Sequence, residues 1–172
     1  MSRHRRSIVL IGMPGAGKST VGVLLAKRLA KDFIDTDLLI QTAEGRTLQS
    51  IVDAEGHLKL RDIEARELQR LAAGNHVIAT GGSAVYGDGS MAALRAQGVV
   101  VYLRVSLPVL EQRVTDQETR GIAKSAEQSF ADVFRERTPL YERHAEIVVD
   151  CDALTPEQVV EAICRALPPT TR

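Results

Sequence analysis

Short apolar runs alternate with segments of helical periodicity along most of the chain. The apolar runs predict five strands, at residues 7–11, 32–35, 76–79, 98–103 and 146–149. The periodic segments predict helices at residues 18–30, 38–71, 107–114, 130–143 and 156–167, the second of them divided at Gly45 and Gly56 into two or more helices. Because the strands are apolar on both faces and alternate with helices, the pattern predicts an α/β fold, a three-layer α/β/α sandwich around a five-stranded parallel sheet.

Two segments lack this periodicity. Residues 115–129 are polar and contain Gly121, which predicts a mobile loop, and residues 168–172 predict a disordered tail. The length of 172 residues and the hydrophobic content of 44% fit one domain with one core. We therefore expect a single domain across residues 1–172.

The composition excludes several classes of partner. The 22 Lys and Arg residues balance the 22 Asp and Glu residues, so there is no global positive field to attract nucleic acid or an anionic membrane. No apolar run approaches the roughly 18 residues that a membrane span needs, and we expect a cytoplasmic protein that binds neither nucleic acid nor membrane. Cys151 and Cys164 have no metal-ligand or redox spacing and are expected to be reduced thiols.

The segment between the first predicted strand and helix carries the strongest motif. Residues 12–20 read Gly-Met-Pro-Gly-Ala-Gly-Lys-Ser-Thr, which fits the phosphate-binding P-loop G-x-x-x-x-G-K-[ST]. Backbone N–H groups surround a phosphate there, the Lys side chain reaches the β- and γ-phosphates, and the Ser hydroxyl binds Mg²⁺. The motif predicts ATP binding by Gly12, Pro14, Gly15, Ala16, Gly17, Lys18, Ser19 and Thr20, with Ser19 also a metal ligand. We expect the adenine ring near Arg113 and residues 152–156.

Two acidic residues, Asp35 and Asp37, follow the second predicted strand. They should lie at the carboxyl end of the sheet, where such folds bind ligands. One carboxylate there can support Mg²⁺, and the other can orient or deprotonate an attacking hydroxyl. The structural alternative is that Asp37 is a helix N-cap.

Candidate groups for a second substrate lie farther along the chain. Gly81 and Gly82 follow the third predicted strand, where either backbone N–H groups approach a ligand or the glycines form a plain turn. Arg61, Arg120 and Arg137 are candidates for carboxylate or phosphate contacts. Single arginines on helices are often solvated instead, and the excess of 17 Arg over 5 Lys also fits a compositional bias.

Taken in order, these motifs resemble the shikimate kinases, P-loop enzymes that transfer the γ-phosphate of ATP to the 3-hydroxyl of shikimate. The resemblance extends from about residue 7 to residue 167. F-I-D-T-D at residues 33–37 is similar to the family's F-x-D-x-D, and L-R-D-I-E at residues 60–64 to its F-R-x-x-E. T-G-G at residues 80–82 is similar to its T-G-G-G, and R-T-P-L-Y at residues 137–141 to its R-x-P-L-Y.

The resemblance implies roles for individual residues. It implies that Asp35 supports Mg²⁺ and that the catalytic residues are Asp37, Lys18 and Arg120. It implies substrate binding by Asp37, Arg61, Gly81, Gly82 and Arg137, with the helices of residues 38–71 forming the substrate-binding region. Arg120 would contact ATP from a lid at residues 115–129. The implied cofactor is Mg²⁺ with ATP as co-substrate, and we expect a monomer that binds ATP and a small carboxylate-bearing hydroxylated substrate.

The sequence departs from the family pattern mainly on the acceptor side. Arg120 is followed by Gly-Ile-Ala rather than Pro-Leu, Ser83 replaces the third Gly of T-G-G-G, and Leu60 replaces an aromatic residue. Pro14 is more typical of adenylate kinases. Two alternatives therefore stay open, a related kinase of another hydroxy acid or polyol and a nucleotide-binding regulatory homologue without phosphotransfer.

Overall fold

The structure is a computed structural model that describes residues 6–114 and 121–172. The described residues form five strands, which are β1 (Ser7–Ile11), β2 (Asp32–Asp35), β3 (His76–Ala79), β4 (Gly98–Arg104) and β5 (Ile147–Asp150). They also form eight α-helices, which are α1 (Lys18–Leu29), α2 (Thr36–Glu44), α3 (Leu48–Glu55), α4 (His57–Arg70), α5 (Asp88–Gln97), α6 (Leu107–Arg113), α7 (Phe130–His144) and α8 (Pro156–Ala166). A single 3-10 turn (Ala84–Tyr86) precedes α5.

The strands form one parallel sheet in the order β2–β3–β1–β4–β5. Every residue of the central strand β1 is buried, whereas the edge strands β2 and β5 are partly exposed. Since successive residues of a strand point to opposite faces, the complete burial of β1 means that both faces of the sheet are covered. The predicted α/β sandwich with five parallel strands is confirmed.

The element boundaries lie close to the predicted ones. The strands β1, β2 and β3 are as predicted, β4 extends to Arg104, and β5 begins one residue later than predicted. The long helical region divides at Gly45 and Gly56 into α2, α3 and α4. Both glycines have a positive φ, 65° and 86°, which other residues rarely adopt. The two predicted breaks therefore have a backbone cause.

The helix α5 and the 3-10 turn before it were not predicted from the sequence. Gly87 and Gly89 flank the start of this helix, and no side chain caps it. The helix instead buries Met91 and Leu94 completely in the main core. Its helical state thus depends on tertiary packing, which overrides a weak local pattern.

The tail at residues 168–172 was predicted to be disordered, but the structure shows it packed against the protein. Thr171 is fully buried. The Arg172 side chain donates hydrogen bonds to the carbonyl oxygens of Leu167 (3.1 Å) and Arg165 (3.0 Å). These carbonyl groups lie at the C-terminal end of α8, where a helix leaves its last carbonyls unpaired. The guanidinium satisfies them and orders the tail.

The two cysteines are free thiols, as predicted. Burial raises the pKa of Cys151 to about 11, and that of Cys164 is raised for the same reason. Within residues 6–114 and 121–172, no helix is both long enough and apolar enough to cross a membrane.

Candidate active site

Three segments meet at the carboxyl edge of the sheet. The P-loop, residues 12–17, joins β1 to α1; α2 follows β2 directly and carries Asp37; and residues 80–83 follow β3. Because β2, β3 and β1 are neighbours in the sheet and parallel, they deliver these three segments to one place.

The P-loop has the backbone geometry of a phosphate cradle. Gly15 and Gly17 have φ values of 83° and 91°, a region in which a side chain would be strained. The Lys18 Nζ donates hydrogen bonds to the carbonyl oxygens of Gly12 (2.7 Å) and Met13 (2.8 Å). Burial lowers the pKa of Lys18 to about 8, against the opposing effect of Asp37. Lys18 is therefore a buried cation beside the N-terminus of α1.

Ser19 and Asp35 meet beside the P-loop. The Ser19 hydroxyl donates to Asp35 Oδ2 at 2.6 Å. The other carboxylate oxygen of Asp35 accepts hydrogen bonds from the N–H groups of Asp37 (3.0 Å) and Leu38 (3.3 Å), which makes Asp35 the N-cap of α2. The alternative role of Asp37 as an N-cap is therefore wrong. Hydroxyl and carboxylate oxygens are the donors that Mg²⁺ prefers, so Ser19 and Asp35 fit that ion.

Asp37 faces Gly81 across a very small gap. A Cβ on Gly81 would lie 2.7 Å from Asp37 Oδ1 and closer still to Glu64 Oε1, so a side chain at this position would displace these carboxyl groups. Burial, and after it the charge of Asp35, raises the pKa of Asp37. The two carboxyl groups of Asp37 and Glu64 therefore face the same small space.

Glu64 was not among the residues predicted to form the site. It is 3% exposed, and its Oε2 accepts a hydrogen bond from the Ser83 hydroxyl. Its Oε1 is buried with no hydrogen-bond partner among the described residues. Burial raises the pKa of Glu64 to about 7, against the lowering effect of Ser83. The motif L-R-D-I-E contains this residue one helical turn after Arg61, and that spacing was the available signal.

Two backbone groups of the predicted glycine pair already have hydrogen-bond partners within the protein. The Gly81 N–H donates to Thr36 Oγ1 at 3.0 Å, and the Gly82 carbonyl accepts from the Tyr141 hydroxyl at 2.6 Å. A Cβ on Gly82 would lie 2.5 Å from Arg137 Nη1. The glycine at this position therefore permits the close approach of the Arg137 guanidinium, and the Gly81 N–H already has a partner.

Arg137 is a cation in the protein interior. Its exposed fraction is 1%. Its Nη2 donates to the Ala123 carbonyl oxygen at 3.0 Å and its Nε to the Tyr86 hydroxyl at 3.3 Å. No carboxylate of residues 6–114 or 121–172 forms an ion pair with it. A buried cation without an anionic partner is costly, and it is the electrostatic setting that an anionic ligand stabilises.

Arg61 approaches the same carbonyl from α4. Its Nη2 donates to the Ala123 oxygen at 3.3 Å, so both predicted carboxylate-binding arginines converge on one acceptor atom. Its guanidinium also stacks on the Tyr86 ring, 3.7 Å from the centroid. The Arg61 side chain lines an adjacent cavity of about 220 Å³.

One cavity is lined by most of the predicted acceptor residues. Its volume is about 100 Å³, and its lining includes Asp37, Gly81, Gly82 and Arg137 together with Pro14, Glu64, Ser83, Ile122 and Ala123. Pro14, which was predicted to bind ATP, also lines this cavity, and its contact with ATP stays a prediction. The cavity therefore gathers groups from the P-loop, α2, α4, α7 and the described end of the predicted lid.

A larger cavity lies on the other side of the P-loop. Its volume is about 420 Å³, and its lining includes Gly15, Ala16, Gly17, Thr20, Arg113, Cys151, Leu154 and Pro156. Arg113, Leu154 and Pro156 belong to the region near Arg113 and residues 152–156 in which the adenine ring is expected. Arg120, the predicted lid arginine, lies outside the described residues, as does the rest of segment 115–120.

Comparison with known proteins leads to the same family that the motifs resemble. The family model described as "Shikimate kinase" matches residues 14–168. The chain belongs to the shikimate kinase family. Curated shikimate kinases of Chromohalobacter salexigens and Thermodesulfovibrio yellowstonii are 40% and 37% identical to it, over 92% and 93% of this chain and 90% and 94% of theirs. A shikimate kinase of Acinetobacter baumannii, solved in complex with shikimate, has a TM-score of 0.83 and 30% identity, and the match covers 93% of this chain and 91% of that one.

Membership of the shikimate kinase family confirms the resemblance that the ordered motifs predicted. The activity is that of an ATP-dependent kinase of shikimate. The two alternatives that the sequence left open, a kinase of another acceptor and a regulatory homologue, give way to this assignment.

Proposed function

We propose that this shikimate kinase binds the nucleotide and the acceptor on opposite sides of its P-loop and joins them at Lys18 and Asp37. The observation that carries the proposal is the buried Arg137, which has no anionic partner among the described residues and lines the same cavity as Asp37. Shikimate presents a carboxylate and hydroxyl groups at opposite ends of its ring. The cavity offers a cation for the first and a carboxylate for the second.

At the nucleotide end, the chain's own groups hold the phosphates. The N–H groups of Gly12, Gly15, Ala16 and Gly17 and the N-terminus of α1, with Ser19 and Thr20, surround the β-phosphate. Lys18 exchanges its two carbonyl acceptors in the P-loop for phosphate oxygens. A phosphate stabilises the positive charge of Lys18, whose pKa burial lowers to about 8. The positive charge is thereby placed against the transferring group.

Ser19 and Asp35 are proposed to hold Mg²⁺, since their side-chain oxygens already meet at 2.6 Å. When bound, the ion neutralises charge on the phosphate oxygens. Asp35 is fixed for this role by its two backbone hydrogen bonds from the start of α2. These bonds use Oδ1 and leave Oδ2 directed to Ser19.

At the acceptor end, Asp37 aligns the 3-hydroxyl for attack and accepts its proton. Partial burial raises the pKa of Asp37, which makes the carboxylate a better proton acceptor. Arg61 and Arg137 hold the carboxylate of shikimate in place of the Ala123 carbonyl oxygen that they share. Gly81 and Gly82 form the wall that keeps the acceptor against Asp37.

The segment of residues 115–129 is proposed to close over the site, with Arg120 contacting ATP. Its described end supports this role, because Ile122 and Ala123 are buried and line the acceptor cavity. Apolar side chains here exclude water, which would otherwise compete with the acceptor for the phosphoryl group. We further propose that residues 1–172 act as one domain and as a monomer, since the proposed groups all come from one chain. The cytoplasmic location is proposed from the sequence alone.

A coupled assay of ADP release tests this proposal with shikimate and a panel of sugar acids as acceptors. Lys18→Ala should abolish transfer. Asp37→Asn should lower kcat by about 100-fold or more while nucleotide binding is retained. Asp32→Asn is the matched control, since that side chain is 82% exposed at the start of β2, the strand that precedes Asp37. A normal rate in Asp37→Asn would remove Asp37 from the reaction.

A further inference from the structure

Tyr86 contacts both arginines at the acceptor end of the site. The Arg61 guanidinium lies 3.7 Å from the centroid of the Tyr86 ring, and the Arg137 guanidinium lies 5.3 Å from it. The hydroxyl of the same ring accepts a hydrogen bond from Arg137 Nε at 3.3 Å. Neither the motifs nor the family resemblance pointed to this residue.

The Tyr86 hydroxyl also donates a hydrogen bond to Glu136 Oε1. Glu136 stands beside Arg137 in α7, and its Oε1 lies 3.8 Å from Arg61 Nη2. Its other oxygen accepts from Gln128 Nε2 at 2.9 Å. The hydrogen bond from Tyr86 is the main reason that the pKa of Glu136 is lowered, so Glu136 is a carboxylate at neutral pH. One aromatic side chain thus joins the turn after the glycine pair to α4 and α7.

This arrangement offsets the repulsion between the two guanidinium groups. Arg61 and Arg137 each place an Nη2 within 3.3 Å of one carbonyl oxygen, so two like charges are brought together. The negative face of an aromatic ring attracts guanidinium groups, and this attraction grows as water is excluded. The ring face lies against Arg61 and the hydroxyl against Arg137, while Glu136 adds a negative charge behind both.

We propose that Tyr86 is a positioning residue for the acceptor, acting through Arg61 and Arg137 to hold the two guanidinium groups as a preformed pair for the substrate carboxylate. The inference rests on the proposed function, because it takes the two arginines as the carboxylate-binding groups. A preformed pair spares the substrate the cost of ordering two long side chains. Tyr86 should therefore affect the binding of shikimate and leave the nucleotide half unchanged.

The test compares Tyr86→Phe and Tyr86→Leu in steady-state kinetics with each substrate varied in turn. Tyr86→Phe keeps the ring face and removes the hydroxyl, and it should raise the KM for shikimate about 3-fold. Tyr86→Leu removes both and should raise it about 10-fold or more. The KM for ATP and kcat should stay within about 2-fold of the unmodified enzyme in both variants. Tyr102→Phe is the matched control, since this buried tyrosine packs on Tyr141, and all constants should be unchanged.

A double-mutant cycle separates positioning from a general structural role. In an Arg61→Ala background, Tyr86→Leu should raise the KM for shikimate less than about 3-fold, because one of the two groups that it positions is gone. The full 10-fold effect in that background, or an equal rise in the KM for ATP, would overturn the proposal. If Tyr86→Leu fails to fold, the KM for shikimate is measured for Tyr86→Phe in the same cycle, and a smaller rise in the Arg61→Ala background supports the proposal.

The arginine variants distinguish this inference from the function on which it rests. If Arg61→Ala and Arg137→Lys leave the KM for shikimate unchanged, the assignment of the carboxylate site is wrong, and the inference fails with it. If both variants raise that KM but the Tyr86 variants do not, the carboxylate site stands and the role of Tyr86 alone is refuted.

Discussion

At the scale of single residues, the acceptor cavity holds charges that have been taken out of water. Arg137 is a buried cation that lines this cavity, and Asp37 and Glu64 present carboxyl groups to it. Lys18 is a second buried cation, beneath the neighbouring P-loop. The pKa shifts of Lys18, Asp37 and Glu64 are all in the direction of the neutral form, and burial is the largest cause of each. The site therefore gives up folding stability to hold groups that a bound substrate and nucleotide would satisfy.

Glu64 allows this cost to be measured as a function of pH. Its pKa is raised from 4.5 to about 7 in the folded protein, so its contribution to stability is complete below about pH 4.5 and is lost as the pH rises through 7. Glu64→Gln carries no charge at any pH. We expect the free energy of unfolding of this variant, relative to the unmodified protein, to rise between about pH 5 and pH 8 by up to about 3 kcal/mol.

Urea unfolding at the two pH values checks this expectation. Asp62→Asn is the control, because Asp62 is an exposed carboxylate on the same helix. A pH-independent difference for Glu64→Gln would mean that Glu64 stays ionised in the folded protein throughout this range.

Which of these residues a sequence can predict depends on how local their chemistry is. Lys18, Ser19 and Asp35 act within or beside one contiguous motif, and their positions follow from the P-loop and the end of β2. Tyr86 has no local signature, since its contacts come from α4 and α7. Pro14 was predicted to bind ATP from the linear motif, which does not show that its side chain also lines the cavity of Asp37 and Arg137.

At the scale of secondary structure, helix caps tie the fold to the site. Asp35 caps α2, and the Thr47 side chain caps α3 by accepting from the Ser50 N–H at 3.2 Å. Only the first cap also meets the P-loop, through Ser19. Asp35 is therefore a helix cap and also a proposed Mg²⁺ ligand, whereas Thr47 is a helix cap alone.

Asp35→Ala and Thr47→Ala should each lower the free energy of unfolding by about 1 kcal/mol, since both remove an N-cap. Only Asp35→Ala should also raise the Mg²⁺ concentration needed for half-maximal activity, because only that residue adds a carboxylate oxygen beside the Ser19 hydroxyl. Denaturant unfolding without metal and a Mg²⁺ titration of the kinase assay measure the two effects. An equal change of Mg²⁺ dependence in both variants would show that the effect comes from helix stability.

Elements were predictable where their signals are local, and they were missed where packing decides. The breaks at Gly45 and Gly56 were visible because a glycine at each allows a positive φ. The helix α5 was not visible, since it depends on the burial of Met91 and Leu94. The order of residues 168–172 depends on the Arg172 guanidinium reaching carbonyl groups at the end of α8, which no local pattern shows.

At the scale of the whole molecule, the P-loop divides the carboxyl edge of the sheet into two cavities. Pro14 and Arg137 line the acceptor side, and Gly15, Gly17 and Arg113 line the nucleotide side. Lys18 stands at the boundary, with its charge buried beneath the loop. This division means that each ligand should stabilise the protein through its own set of residues, which thermal unfolding can separate.

ADP with Mg²⁺ and shikimate, each at about 100 times its Kd, should each stabilise the folded state by about 2.7 kcal/mol. For a chain of this length, that corresponds to a rise in Tm of about 5–10 °C. Arg137→Lys should lose most of the rise with shikimate and keep the rise with ADP, because a Lys side chain lacks the planar fork that grips a carboxylate. Lys18→Ala should lose most of the rise with ADP and keep the rise with shikimate. If either variant loses both rises, the two cavities bind as one coupled site, and the division by the P-loop does not describe how the enzyme takes up its substrates.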